Sequence, residues 1–184
     1  MPSSWQKRRF VERLHEGAIV AYPTESVFGL GCDPENAKAV WQLLRLKSRP
    51  WQKGLILIAS DFYQLESYVK NLPESIVKKI HDGSHEPTTW LLPAKDSVPK
   101  WLTGEHKTIA VRLVQHDLAK ELCSLANMAI VSTSANITGQ AAIKTAHKIR
   151  LKFSADDVYT INALVGKAAY PSRIIDPILN KQFR

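Results

Sequence analysis

Cysteine is nearly absent from this 184-residue sequence: Cys32 and Cys123 are its only two, far apart and in no C-x-x-C arrangement. That excludes a disulfide framework and a thiolate zinc site. Long apolar runs are missing as well, and none approaches the roughly 20 residues that a membrane helix needs. The start, MPSSWQKRRF, is basic but lacks the apolar segment of a secretory signal. These absences predict a soluble, cytoplasmic protein with no membrane contact. The six histidines form no H-E-x-x-H group; His81 and His85 are four apart, but Gly83 between them spoils a helical pair, so no protein-held metal is expected. G-x-S-x-G, G-x-x-x-x-G-K-[ST] and G-x-G-x-x-G are all missing, which excludes the usual nucleophile elbow, phosphate loop and dinucleotide turn. Acidic residues are the minority, 17 against 25 Lys and Arg, giving a net charge of +8 and a pI near 9.5. Such a balance suits anionic partners, nucleotides or nucleic acid, although many basic proteins are simply well solvated.

What is present is an ordinary globular composition, 45% hydrophobic and 23% charged, without repeat, low-complexity tract or linker. One domain spanning 1–184 is expected. GAIVAY reads as a buried strand stopped by Pro23. After a glycine-punctuated loop, Asp33 and Pro34 suit a helix start, with Ala37, Trp41 and Leu44 on one face to about Leu46. Pro50 disfavours a helical Arg49, so KSRP should leave the helix extended, with Lys47 and Arg49 pointing the same way. GLILIAS is a strand covered on both faces, completing a strand-helix-strand crossover by Ser60. DFYQLESYVK and PESIVKKIH predict helices, the second closed by Gly83. TTWLLPA, KTIAVRLV, NMAIVSTS, VYTINAL and SRIID predict strands. Ile109, Val111 and Leu113 should share one face, with Arg112 on the other. HDLAKELCSLA predicts a helix capped by Asp117, and KTAHKIRLKF a basic one. The class is α/β with a mostly buried, parallel or mixed sheet.

Polar residues gather where strands end, the place where open α/β sheets bind ligands. Thr24, Glu25 and Ser26 follow the first strand, Ser132, Ser134 and Asn136 close another, Lys47 and Arg49 follow the first helix, and Arg112 interrupts an apolar strand. Arginine forks, a lysine point charge and single hydroxyl or amide bonds suit a phosphorylated or carboxylated ligand. No nucleophile and base pair accompanies them. Each piece also has a plainer reading: Thr24 and Ser26 as turn residues, Lys47 and Arg49 as charges answering the helix dipole, Arg112 as an edge residue, Ser134 or Asn136 as an N-cap. Lys144, His147, Lys148, Arg150 and Lys152 make a basic helix face that suits solvent better than RNA phosphates.

In order, YPTESVFGLG, KSRP with KGLILI, TTWLLPA, IAVRL, VSTSAN and PSRIID resemble the YrdC/TsaC family of threonylcarbamoyl-adenylate synthases over about residues 10 to 176. The resemblance implies a twisted, open mixed sheet flanked by helices around a concave, positively charged cavity. It implies a reaction joining L-threonine, bicarbonate and ATP, with Mg2+, into threonylcarbamoyl-AMP and pyrophosphate. It places the family's K-x-R pair on Lys47 and Arg49, in catalytic roles, and its S-x-N pair on Ser134 and Asn136. Thr24, Thr89, Arg112, Ser132 and Ser172 then fall to substrate and ATP binding. A threonylcarbamoyl transferase complex is the implied acceptor of the product, for modification of tRNA beside the anticodon, with contact to tRNA or double-stranded RNA on the basic face.

Three departures mark this chain: His85, Glu86 and Pro87 stand where the family has a Pro-Gly-Pro turn, Ser26 replaces a commoner threonine, and Arg173 is not a constant feature. Two competing readings are a non-catalytic RNA-binding or ribosome-associated module, and adenylating chemistry on carbamoyl phosphate as in hydrogenase maturation proteins.

Overall fold

Ser3 and Gln6 cap each other's backbone at the start of the first helix: Ser3 Oγ accepts the Gln6 amide at 3.3 Å and Gln6 Oε1 the Ser3 amide at 2.8 Å. The structure is a computed structural model describing residues 1–82, 86–168, 170 and 172–184. Gly83 as the end of a helix, His85 of the departed turn and Pro171 of the last motif lie outside the described residues. The helix α1 (Ser4–His15) was not among the expected elements, since only Phe10 and Leu14 are buried along it and the apolar stripe is thin. The remaining elements are β1 (Ile19–Pro23), β2 (Phe28–Gly31), α2 (Ala37–Leu46), β3 (Ile56–Ala59), α3 (Glu74–Asp82), β4 (Thr88–Pro93), α4 (Lys100–Thr103), β5 (Thr108–Leu113), α5 (Asp117–Ala126), β6 (Ile130–Ser134), α6 (Ala146–Lys152), β7 (Val158–Thr160), β8 (Arg173–Asp176) and β9 (Lys181–Gln182).

The strands form one nine-stranded sheet in the order β7-β1-β2-β6-β3-β5-β4-β8-β9. β1 with β7, β3 with β5 and β4 with β8 are parallel, and the other neighbours antiparallel, so the mixed α/β sheet flanked by helices is as expected. The crossover from β1 to β3 is not: β2 and β6 lie between them, and three successive antiparallel pairings leave β1 and β3 running in opposite directions. The cause is FGLG, expected as loop but paired to β1 as a hairpin. Its glycines serve close approach. A Cβ on Gly29 would stand 3.3 Å from the Tyr22 ring, and one on Gly31 would overlap the Val131 carbonyl.

Smaller corrections have local causes. α2 is capped by Asn36, whose Oδ1 accepts the Ala39 amide at 3.0 Å, while Asp33 closes the preceding turn on the Glu35 amide at 2.8 Å. Its buried face is Ala39, Val40, Leu43 and Leu44, and Trp41 is exposed. Residues 61–70 make only a one-turn 3-10 helix at Phe62–Leu65. There Gln64 is drawn inward to accept the Ser60 amide at 2.9 Å and donate to the Cys123 carbonyl at 2.9 Å, holding the segment too tightly for a longer helix. His116, not Asp117, caps α5.

Alternation along the strands splits the core between the sheet's two faces. Leu57, Ala59, Val111, Ile109, Leu92 and Val131 pack under α2, α3, α4 and α6. On the other face, Val20, Tyr22, Ile58 and Ile130 are covered by Phe10 and Leu14 of α1 and by Leu118, Leu122 and Cys123 of α5. Two residues further along the same face stand Ile56, Ser132 and Ala110, in register with one another. Ser132 and Ala110 are short, Ile56 is only partly covered, and the sheet opens there into a hollow.

Candidate active site

The hollow is a cavity of about 730 Å3, within the range typical of small-molecule sites. Gly29, Ser132, Ser134 and Ala110 form its floor, and Thr24, Arg49, Thr89, Arg112, Asn136 and Ser172 stand around it. Every site residue selected from the sequence except Lys47 lines this one space, although they come from positions 24 to 172. Its charged lining is Arg49, Lys53, Arg112 and Arg184 against the single acid Asp176.

Lys47 and Arg49 reach different partners. The helix ends with Ser48 at φ 48°, the Ser48 amide on the Arg45 carbonyl at 3.0 Å and the Arg49 amide on the Leu44 carbonyl at 2.9 Å. Lys47 turns beneath the cavity wall, where its ammonium donates to the carbonyls of Ser134 and, at 2.5 Å, Asn136. Its own carbonyl accepts both the amide and the hydroxyl of Thr138 at 3.0 Å. Lys47 thus staples the end of α2 to the loop after β6. Burial, and then the neighbouring Arg49 charge, pull its pKa down to about 8. Arg49 faces the cavity, held by one bond from Nη2 to the Gly54 carbonyl at 2.8 Å, and burial lowers its pKa too.

The loop after β1 carries a second charged unit. Thr24 donates its hydroxyl to the Val27 carbonyl at 2.8 Å, closing the turn that its plainer reading predicts, while still lining the cavity. Glu25 turns away from the cavity. Its Oε1 accepts the Gln115 and His116 amides at 2.7 and 3.3 Å, and its Oε2 stands 3.2 Å from Arg112 Nη2. Burial alone would raise the Glu25 pKa, but the Arg112 charge and the backbone amides outweigh it and hold the carboxyl below its ordinary value.

At the opposite wall Thr89 Oγ1 and Ser172 Oγ meet at 2.9 Å. Two of the sequence departures also meet here: Glu86 and Arg173 form an exposed ion pair at 2.9 Å, beside the bond from the Arg173 amide to the Pro87 carbonyl at 2.9 Å. Lys53, His106 and Arg184 also line the cavity and were not selected from the sequence. Lys53 lies within the KGLILI motif and was there to be found, whereas nothing local marks His106 or Arg184. The basic side chains His147, Lys148, Arg150 and Lys152 of α6 are exposed, with Ala146 and Ile149 turned inward. Among the described residues no three His, Cys, Asp or Glu side chains come together to hold a metal ion, and no helix is long and apolar enough to cross a membrane.

Among the described residues five buried side-chain polar atoms have no hydrogen-bond partner; Glu25 Oε2 and Thr160 Oγ1 belong to residues away from the cavity, and the other three to residues that line it. Arg49 Nε, Arg112 Nε and Asn136 Oδ1 are buried without a hydrogen-bond partner, each a cost of about 1–3 kcal/mol unless something else satisfies it. A mixed α/β sheet with hydroxyls, an amide and arginines around one large hollow defines a small-molecule-binding α/β protein. More particularly, the chain belongs to the Sua5/YciO/YrdC family, whose profile, described as telomere recombination, matches residues 12–184. It is 44% identical to a threonylcarbamoyl-AMP synthase of Yersinia enterocolitica, over 95% of this chain and 92% of that one. It is 48% identical to another of Photorhabdus laumondii, over 90% and 88%. Among solved structures, P. abyssi Sua5 complexed with L-threonine superposes with a TM-score of 0.87 at 32% identity, over 95% of this chain. The chain spans about half of that protein, 51% of its length. E. coli YciO shares the fold, with a TM-score of 0.81 at 22% identity over 96% of this chain and 85% of that one.

Proposed function

We propose that this chain is an L-threonylcarbamoyladenylate synthase acting as one domain. The observation that carries the reading is the convergence of Arg49, Arg112 and Asn136 with the hydroxyls of Thr24, Ser132 and Ser134 on one cavity, in a chain whose relatives bear that enzyme's name. The substrates are L-threonine, bicarbonate and ATP, the last entering with its magnesium ion.

The threonine amine and bicarbonate first combine, with loss of water, into a carbamate. A carbamate oxygen then attacks the α-phosphorus of ATP, and the bond from that phosphorus to the bridging oxygen breaks, releasing pyrophosphate. Two anions must approach each other, so the chemistry needs fixed positive charge and orientation more than a protein nucleophile. Arg49 and Arg112 supply the charge from the cavity wall. Ser132, Ser134, Thr24, Thr89 and Ser172 offer hydroxyls, and Asn136 an amide. Lys47 contributes by holding the Ser134 to Asn136 segment in place, its charge lying beneath the same wall. Magnesium screens the phosphate oxygens of the nucleotide when ATP binds. The amine reacts only when neutral, and nearby cations favour that form. The product passes to a threonylcarbamoyl transferase complex in the cytoplasm for transfer to tRNA.

The test is pyrophosphate release from ATP and magnesium, with L-threonine and bicarbonate omitted in turn. Release requiring both supports the proposal. Release with carbamoyl phosphate in their place would redirect it to carbamoyl transfer, and release under no combination would favour an RNA-binding module.

A further inference from the structure

Glu25 is a buried carboxylate that the proposed chemistry does not use. It does not line the cavity, it is 8% exposed, and it comes from the loop between β1 and β2. Its two oxygens do different work. Oε1 binds the amides of Gln115 and His116, which lead into α5, and Oε2 lies against the guanidinium of Arg112 with no other polar partner. The loop that carries it is fixed on its other side: Thr24 and Glu25 present their carbonyls to the amides of Gly166 and Ala168, both at 2.9 Å. A Cβ on Gly166 would stand 2.6 Å from the Glu25 carbonyl, so the two backbones are in close contact. The carboxylate is therefore held in a rigid frame before any ligand arrives.

Arg112 needs such a frame. It stands on β5 opposite Ile58 of β3, an apolar position that offers the guanidinium no anchor on that side. Glu25 is the sole acid in an ion pair with it among the described residues, and its Nε has no partner. We infer that Glu25 is a positioning residue: by binding one edge of the Arg112 guanidinium from behind, it sets the angle at which the remaining donors face the anionic part of the substrate. This rests on the proposed function, which makes Arg112 a ligand contact.

The experiment compares Glu25→Gln, Arg112→Lys and the double variant, measuring KM for L-threonine and for ATP by pyrophosphate release. Glutamine keeps an oxygen for the Gln115 and His116 amides and removes only the charge facing Arg112. Glu25→Gln should raise whichever KM Arg112→Lys raises, by about ten- to a hundredfold, as expected for a donor set displaced by about an ångström. In the Arg112→Lys background the same substitution should add almost nothing. Unchanged KM values in Glu25→Gln, or a full second increase in the double variant, would overturn the inference, since a carboxylate acting only on the fold would act in both backgrounds. If Glu25→Gln loses its near-UV circular dichroism, Glu25→Asp is read by the same two criteria. A wild-type chain that releases no pyrophosphate defeats the proposed function instead. The pairing is then judged by the 15N resonance of Arg112 Nε, which Glu25→Gln shifts if the carboxylate holds the guanidinium in solution and leaves in place if it does not.

Discussion

Thr89 Oγ1 and Ser172 Oγ stand 2.9 Å apart, joining β4 to the residue just before β8 across 83 positions of chain. Both side chains are buried, Thr89 completely, and among the described residues no other side-chain bond holds either hydroxyl. Thr89→Val keeps the shape and removes the bond, leaving the Ser172 hydroxyl without a side-chain partner. It should cost about 1–3 kcal/mol, at about 2–4 °C of Tm for each kcal/mol in a chain of this size. Thermal denaturation followed by circular dichroism measures it, and an unchanged Tm would mean that water replaces the bond.

Arg49 and Lys47 should separate activity from stability. Arg49 gives up one hydrogen bond to a loop carbonyl, so Arg49→Ala should abolish pyrophosphate release while moving Tm by only a few degrees. Lys47→Ala removes the donor shared by the Ser134 and Asn136 carbonyls, and should lower Tm as well as activity. Equal losses of Tm in the two variants would contradict this division of roles.

The depressed pKa of Lys47 has a consequence for stability against pH. In the folded protein the ammonium loses its proton at about pH 8, whereas in the unfolded chain it keeps it until about pH 10.4. Between those values the unfolded state binds more protons, so stability from this group rises with pH; below about pH 8 both states are charged and the contribution is flat. The Tm of the wild type minus that of Lys47→Met should therefore grow between about pH 7.5 and about pH 9.5. A difference that shrinks over that range would refute the assignment.

Glu86 and Arg173 test whether the unusual turn before Thr89 matters. Their pair is exposed, and such bridges contribute about 0–1 kcal/mol. Glu86→Ala should leave both Tm and the KM values close to wild type, because the neighbouring backbone bond from Arg173 to Pro87 is untouched. A KM change of more than about threefold would show that the pair shapes the Thr89 wall.

Most of the elements were legible in local signals, and every side chain selected from the sequence except Lys47 lines the cavity, while Lys53, His106 and Arg184 went unselected. Apolar alternation marked Ile109 and Val111, and polar residues at strand ends marked Thr24, Ser134 and Asn136. The ordered motifs carried Arg49, Thr89 and Ser172. What failed locally failed for identifiable reasons: FGLG lacks the side chains that announce a strand, and α1 buries only two.

The sequence by itself determined the α/β class, the family, and the residue types available to meet an anionic ligand, since periodicity, caps and motif order are all properties of neighbouring residues. Only the tertiary structure decided that β2 and β6 separate β1 from β3, that Lys47 lies under the wall while Arg49 faces the cavity, and that Glu25 stands behind Arg112. Those outcomes depend on pairing and burial between segments up to about half the chain apart. There, backbone hydrogen bonding and the cost of burying a charge choose the partner, and no short stretch of sequence records that choice.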